Sequence, residues 1–441
     1  MSSREAEIAR CALGNATIHQ ASFDSARVPD ALDMTHKVHE EEVVDQQNTG
    51  TCWLQAGMTF LSALARRRGL TVRFSLTHLV YWDKLGKAKA FLEGIRSTCS
   101  PPAAQLSFAE LRGLCDRLLS QDGRIDDIVA RVQTHQHHER IRWHLLSEPI
   151  SDGGTWAMFL HLIETHGVVP HDARLPMRQA TQTAQLNRYL NDFLRQTAQE
   201  LIEAHPTHHE ELIATSTRKV EDALRRAYGP PPKRATLHET AHGRDFDGSP
   251  RDLLAMIRQT WPYPLLTHAP DRPNGAYVGT ATNDPAALDQ DRFRVVDMGT
   301  LVDACIQQLE CQIPVWFTCE VKFDFCAKHG VAAIGLFDTP LLLGLDRNAN
   351  KEARMKAQRT SPGHAMLLTG VKLKDGVPVL WRIQNSWGKD HDYGQGFLTA
   401  DHEWFKEYVF QAAVDAHFLP TMPATEEVKL YPWDVFATVA A

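Results

Sequence analysis

Apolar residues recur at three- and four-residue spacing through the first half of the chain, and each such stretch predicts a helix with one buried face. Leu54, Met58, Leu61 and Ala65 predict a helix that starts at Cys52 and stops at Arg66-Arg67-Arg68-Gly69, cations followed by a breaker. Ser75 reads as the N-cap of a second helix through Tyr81 and Leu85 toward Phe91, and Ser107 begins another through Leu111, Leu114 and Leu118. Four more are expected, from Ile125 to Leu146, Trp156 to Thr165, Thr183 to Ala204 and Glu210 to Tyr228; Pro230-Pro231-Pro232 closes this block. The first 40 residues carry little pattern and are expected to form an arm or irregular lead-in.

Beyond the prolines the pattern changes. Strands are expected at Arg292 to Asp297, Pro314 to Glu320 and Val409 to Val414, with helices near Arg251 to Gln259 and Leu301 to Leu309. Gly363 to Val371 and Val377 to Asn385 flank Asp375-Gly376, whose residue types suit a two-residue type I′ turn, so the three make a hairpin. Helices gathered in one half and strands in the other give an α+β class. No internal repeat or low-complexity tract interrupts it.

At 441 residues with 43% apolar side chains, the chain has material for a large core and two or three domains. Its 47 basic and 54 acidic side chains leave a net charge of −7, which offers no electrostatic footprint for nucleic acid and no attraction to anionic membranes. No apolar run is long enough to span a bilayer, and Met1-Ser2-Ser3-Arg4-Glu5-Ala6-Glu7 lacks the apolar core of a secretion signal. Eight cysteines without a CxxC pair fit reduced thiols in a cytoplasmic compartment.

Two stretches carry chemistry. Cys52 stands at the predicted start of a helix, where unpaired N–H groups and the positive end of the dipole favour a thiolate. A lone cysteine there is ordinarily a small buried hydrophobe. Gln46, just upstream on a glycine-containing loop, can bring an amide N–H beside the sulfur and, with the Cys52 N–H, form an oxyanion hole. The hairpin sets His364 and Asn385 at matching ends of paired strands, where the Asn385 oxygen can accept from one imidazole nitrogen and aim the other at Cys52. Trp387 follows, an indole able to cover the His–Asn bond.

Cysteine, histidine and asparagine in this order resemble the papain-like enzymes, and the bleomycin hydrolase or aminopeptidase C family more closely than papain itself. Gln46 with Gly50-Thr51-Cys52-Trp53, His364-Ala365-Met366 and Trp381-Arg382-Ile383-Gln384-Asn385-Ser386-Trp387-Gly388 resemble its three catalytic motifs. Tyr81-Trp82-Asp83-Lys84, Asp152-Gly153-Gly154, Val315-Trp316-Phe317, Glu403-Trp404-Phe405 and Pro432-Trp433-Asp434 follow in family order. Departures surround the cleft: Asp45, Asn48-Thr49-Gly50-Thr51, Gln55-Ala56-Gly57, and Gln384 where glutamate is usual. They bear on substrate preference more than on reaction type.

The resemblance implies a papain-like fold with a helical insertion on the order of 150 residues, since His364 follows Cys52 by roughly 310 residues against the 130–150 of the papain signature. The expected division is 1–120, arm and helical half with Cys52; 121–232, helical insertion; 233–424, β-rich half with His364 and Asn385; and 425–441, a tail. It also implies a homohexamer, no metal or organic cofactor, substrates with a free α-amine (peptides, the amide of bleomycin, homocysteine thiolactone), and a tail whose Ala441 carboxylate meets the substrate amine in the cleft. A dedicated amidase or acyltransferase on one metabolite is the alternative enzyme. A non-catalytic ring-shaped binder is the alternative from another class, and it has no physical need for Gln46, Cys52, His364 and Asn385 together.

Other clusters have blander readings. His135, His137, His138 and His144, and His205, His208 and His209, have spacings that scatter them around a helix, which suits a solvated face better than a metal. Cys305, Cys311, Cys319 and Cys326 are too irregular for a zinc ribbon and read as packing. Asp245 and Asp247 lack the bidentate glutamate of a calcium loop and read as a turn.

Overall fold

The computed structural model describes residues 3–29, 33–99, 138–174, 177–238, 245–257, 263–279, 292–345, 349–389, 394–419 and 426–437. The helix expected from Ser107, and most of that expected from Ile125, lie outside the described residues; helix is present over 138–147.

The Cys52 helix, α3 (Cys52–Arg67), is buried at every position from Cys52 to Ala65. Its sequence marks only one apolar stripe, yet α4 (Leu76–Thr98) and α5 (Trp156–His166) pack on it from one side and the sheet from the other. Its polar positions satisfy themselves: Thr59 Oγ1 donates to Gln55 O at 2.9 Å and Ser62 Oγ to Met58 O at 3.0 Å. Gly57 permits the approach of α5, because a Cβ there would stand 2.7 Å from the Phe159 ring. Phe60 meets Trp156 and Tyr263 edge-on at 5.4 and 5.0 Å, and Trp316 Nε1 donates to Trp53 O at 3.3 Å.

The chain continues with α6 (Ala184–Glu203) and α7 (His209–Tyr228), both packed against α4. Leu190, Leu194 and Leu201 line the buried stripe of α6, and Val220 and Leu224 that of α7, as the spacing predicts. Downstream come α8 (Pro250–Ile257) and α9 (Met298–Glu310). The strands of the main sheet are β1 (His36–Lys37), β2 (Leu265–Thr267), β3 (Gly275–Val278), β4 (Arg292–Val295), β5 (Val315–Cys319), β6 (Phe325–Cys326), β7 (Val331–Ala332), β8 (His364–Lys374), β9 (Val377–Gln384), β10 (Phe397–Asp401), β11 (Val409–Ala413) and β12 (Val428–Lys429). They form one mixed sheet in the order β12-β3-β4-β2-β11-β5-β8-β9-β10-β7-β6, with β1 beside β8. The hairpin turn has φ of 52° at Asp375 and 80° at Gly376, the left-handed pair that a type I′ turn requires.

Three expectations are corrected. The lead-in is helical, with α1 (Ser3–Leu13) and α2 (Ile18–Ser22); α2 has a capping box between Thr17 and Gln20 and packs on a short helix, Thr339–Leu343. Asp247 belongs to a strand, Phe246–Gly248, paired with Ala235–Leu237 rather than to a turn. Cys311 is exposed, whereas Cys305 and Cys319 are buried as packing predicts. Among the described residues no group of acidic, histidine and cysteine side chains could hold a metal, and no helix is long and apolar enough to cross a membrane.

The C-terminal stretch docks through β12, which runs parallel to β3, and through buried Leu430, Phe436 and Ala437. Trp433 stacks on Tyr431 at 4.9 Å and takes the Arg140 guanidinium at 3.8 Å, although Tyr431 itself stays exposed. Ala441 lies outside the described residues.

Burial depresses several histidines below the usual 6.5: His78, His166 and His364 to about 4 each, and His268 to about 3, where Lys351 adds to the effect. The unfolded chain then binds more protons than the folded one between these values and 6.5. Stability is full above about pH 6.5 and is lost as pH falls toward 4. The thermal midpoint should drop steadily over that range, and His78→Phe should flatten the drop; a midpoint flat from pH 7 to 4 would contradict it.

Candidate active site

The loop before α3 and the loop after β9 are stitched together by backbone bonds. Gln46 N donates to Ser386 O at 2.8 Å, Gly388 N to Val44 O at 3.1 Å, and Asp45 bridges Trp387. Gln384, at the end of β9, donates its amide to Glu41 O at 2.8 Å. These contacts bring Gln46 beside Asn385. The Gln46 side chain is buried, with Oε1 accepting from Ser386 Oγ at 2.7 Å and Nε2 donating to Thr49 O at 2.6 Å. An amide nitrogen has two N–H groups, so one remains for another acceptor.

His364 opens β8, opposite Cys319 of β5, and is 3% exposed. Its Nε2 lies 2.9 Å from Asn385 Oδ1. The same oxygen accepts from the Ser386 N–H at 2.8 Å, and since a backbone N–H can only donate, the amide orientation is fixed. Nε2 therefore carries the hydrogen, and Nδ1 is the basic nitrogen of a neutral ring. The Trp387 indole covers the imidazole at a centroid distance of 4.8 Å and is itself braced edge-on by Phe325. Asn385 Nδ2 has no hydrogen-bond partner among the described residues.

Cys52 is fully buried at the first position of α3, and the N–H of Ala365, the residue after His364, is directed at its sulfur. That contact puts the thiol at the His364 end of β8. Two effects oppose each other at the sulfur: burial pushes the Cys52 thiol up to about 11, against the lowering by the N–H groups of Ala365, Trp53 and Cys52 that the expected thiolate relies on. Burial likewise lowers His364 to about 4, only partly opposed by Asn385. Both shifts favour a neutral thiol and a neutral imidazole over an ion pair in the closed site, and the arrangement can pass the sulfur's proton to Nδ1 when an electrophile arrives.

The peptidase C1-like family model matches residues 2–113, 114–251 and 263–437. The chain belongs to that family. It is a cysteine-type peptidase with the papain-like fold. It is 28% identical to aminopeptidase C of Listeria monocytogenes over 436 residues, covering 92% of this chain and 88% of the relative. Bleomycin hydrolase of Gallus gallus is 25% identical over 425 residues, with coverages of 90% and 86%. In fold it matches the crystal structure of PepW from Lactobacillus rhamnosis with a TM-score of 0.82 and 22% identity, over 100% of this chain and 96% of that one.

Sequence reasoning placed Gln46, Cys52, His364, Asn385 and Trp387, and the structure gathers these five around one loop junction. Lys84 and Asp152 entered only as family landmarks, and sequence reasoning missed that Asp152 receives Lys84, Thr183 and Asn187 in one polar group. The available signal was Asp83, Lys84 and Lys87 among the apolar residues of α4.

Replacing Asn385 by alanine should lower kcat by one to a few orders of magnitude, with KM and fold nearly unchanged, because the ring loses its orientation. His364→Ala should slow iodoacetamide labelling of Cys52 at least about tenfold while exposed Cys311 labels as before. Equal Cys52 labelling in wild type and variant would mean that His364 does not take its proton.

Proposed function

We propose that the protein is an aminopeptidase or amidohydrolase of the bleomycin hydrolase type, working through Cys52, His364 and Asn385. The observation that carries this is the fixed Asn385 orientation, which leaves His364 Nδ1 basic at the end of β8 that abuts the Cys52 sulfur. The S–H proton of Cys52 passes to Nδ1 as sulfur bonds to the substrate carbonyl carbon. The resulting oxyanion takes hydrogen bonds from the Cys52 N–H and the free N–H of Gln46. Collapse breaks the C–N bond, and Nδ1 returns the proton to the leaving amine. Water then attacks the thioester, giving its proton to Nδ1; the C–S bond breaks and the proton returns to sulfur. Every proton is accounted for within the chain, the substrate and water.

The names of the relatives, aminopeptidase C and bleomycin hydrolase, support peptides or amino-acid amides with a free amino group as substrates; a cytoplasmic homohexamer belongs to the same reading and rests on the motif resemblance alone. Docking of residues 426–437 supports a tail held in place as far as Ala437, and the Ala441 carboxylate is the proposed partner of the substrate ammonium. Such a pair is strongest where water is excluded.

Cys52→Ala should abolish hydrolysis of an amino-acid amide in a folded protein; retained turnover would end the nucleophile assignment. Deleting residues 438–441, which leaves buried Ala437 in place, should weaken turnover of free-amine substrates and admit N-acetylated ones. The measurement is kcat/KM on a matched free and acetylated pair, and an unchanged preference would remove Ala441 from the site.

A further inference from the structure

The nucleophile turn has no cap of its own. Thr51 precedes Cys52 at the N-cap of α3 and makes no side-chain capping bond, and the first turn holds no acidic residue. Among the bonds that tie the turn from outside, two come from one residue. Asp152 Oδ2 accepts from the Gly50 N–H at 3.4 Å, and the Asp152 backbone carbonyl accepts from Trp53 Nε1 at 2.8 Å. One residue thus bonds the chain two positions before the thiol and one position after it.

Asp152 is itself firmly held. Oδ1 receives Lys84 Nζ at 2.8 Å and Asn187 Nδ2 at 2.9 Å, while Oδ2 receives the Thr183 hydroxyl. Lys84 is 1% exposed and the Asp152 side chain 13%, so the pair is largely shielded from water. Burial pushes the Asp152 carboxyl up, but Lys84, Thr183 and Asn187 outweigh it and keep the group ionised. The neighbouring backbone is pinned as well, since Lys87 Nζ donates to Ser151 O at 2.9 Å, Gly153 O at 2.5 Å and Asp83 Oδ2 at 2.9 Å. Gly154 lies so close that a Cβ would stand 2.3 Å from the Trp53 ring.

We propose that Asp152 is a positioning residue for catalysis, fixing the Gly50–Trp53 turn so that the Cys52 N–H and the Gln46 amide, held through Thr49, converge on the oxyanion. The inference rests on the reading of Cys52 as nucleophile. It acts through hydrogen bonds and not through charge on the thiol, since burial and backbone N–H groups set the Cys52 shift. Iodoacetamide alkylation has no oxyanion, whereas amide hydrolysis does, so the two reactions should respond differently.

The test compares Asp152→Asn and the uncharged pair Asp152→Asn with Lys84→Met, counting active sites by stoichiometric alkylation of Cys52. Expected is a fall of about 10- to 100-fold in kcat per labelled site, with KM within about twofold and the alkylation rate and its pH dependence unchanged. Thr183→Val removes one donor from the same oxygen and leaves the ion pair, so it covers the case in which the charge variants do not fold. It should lower kcat per site about two- to fivefold. Leu309→Ala, a buried truncation in α9, is the control for lost stability alone and should lower the thermal midpoint without touching kcat per site. An unchanged kcat per labelled site in the Asp152 and Thr183 variants would reduce Asp152 to structural support. Failure of the nucleophile reading would appear separately, as turnover by Cys52→Ala.

Discussion

Burial of the Cys52 helix along its first fourteen residues, Cys52 to Ala65, is the constraint from which the rest of the site follows. A helix buried from Cys52 to Ala65 cannot slide or tilt far without opening voids against its packed neighbours, and close-packed interiors resist that strongly. Its first residue is consequently delivered to a fixed point at the head of β8. The same burial sets the electrostatics. An ion pair formed in advance between Cys52 and His364 would carry two charges into a dry space, whereas a neutral thiol and imidazole carry none. Charge separation is deferred until a carbonyl is present to accept the sulfur and N–H groups are present to receive the oxyanion.

Deferral shifts the demand from acidity to geometry. A thiol that is not already ionised must lose its proton in the same encounter that forms the C–S bond, so the base has to be in place beforehand. The Ser386 N–H does this at one remove: it decides which way Asn385 faces, and Asn385 decides which imidazole nitrogen keeps its hydrogen. Ser386 acts twice, because its hydroxyl also holds the Gln46 oxygen. The His364 imidazole and the Gln46 amide are thereby oriented by adjacent groups of one residue.

How much of this was legible in the sequence depended on how local each feature is. Asp375-Gly376 fixes its hairpin through two residues' φ preferences, so His364 and Asn385 could be paired before any coordinates. The helix after Cys52 was equally plain, but its burial was not, because a stripe of Leu54, Met58, Leu61 and Ala65 says nothing of what covers Gln55, Thr59 and Ser62. That gap is why a helix N-terminus suggested a thiolate where desolvation dominates. Lys84 and Asp152 stood out as family landmarks, but their network could not be assembled from the sequence: Gly50, Lys84, Asp152 and Thr183 come from four separate segments with no shared periodicity. The lead-in helices failed for lack of a stripe; α2 is held by its capping box and by the Thr339–Leu343 helix rather than by its own pattern.

The residues that depart from the family pattern follow the same logic. Gln384 stands where glutamate is usual, and its amide donates to the Glu41 carbonyl; an ionised carboxylate there would face an acceptor with an acceptor. Amide chemistry thus ties the end of β9 to the segment leading into Gln46. Gly57 has a steric role, admitting the Phe159 ring against α3. Gln55 and Thr59 line a cavity of about 220 Å³ together with Glu41, Arg73 and Arg174, on the flank of α3. Of the departures within α3 and β9, two are accounted for by packing and hydrogen bonding of the scaffold. Divergence near the nucleophile is therefore compatible with an unchanged reaction, because what these positions must conserve is the placement of Cys52 and not their own identity.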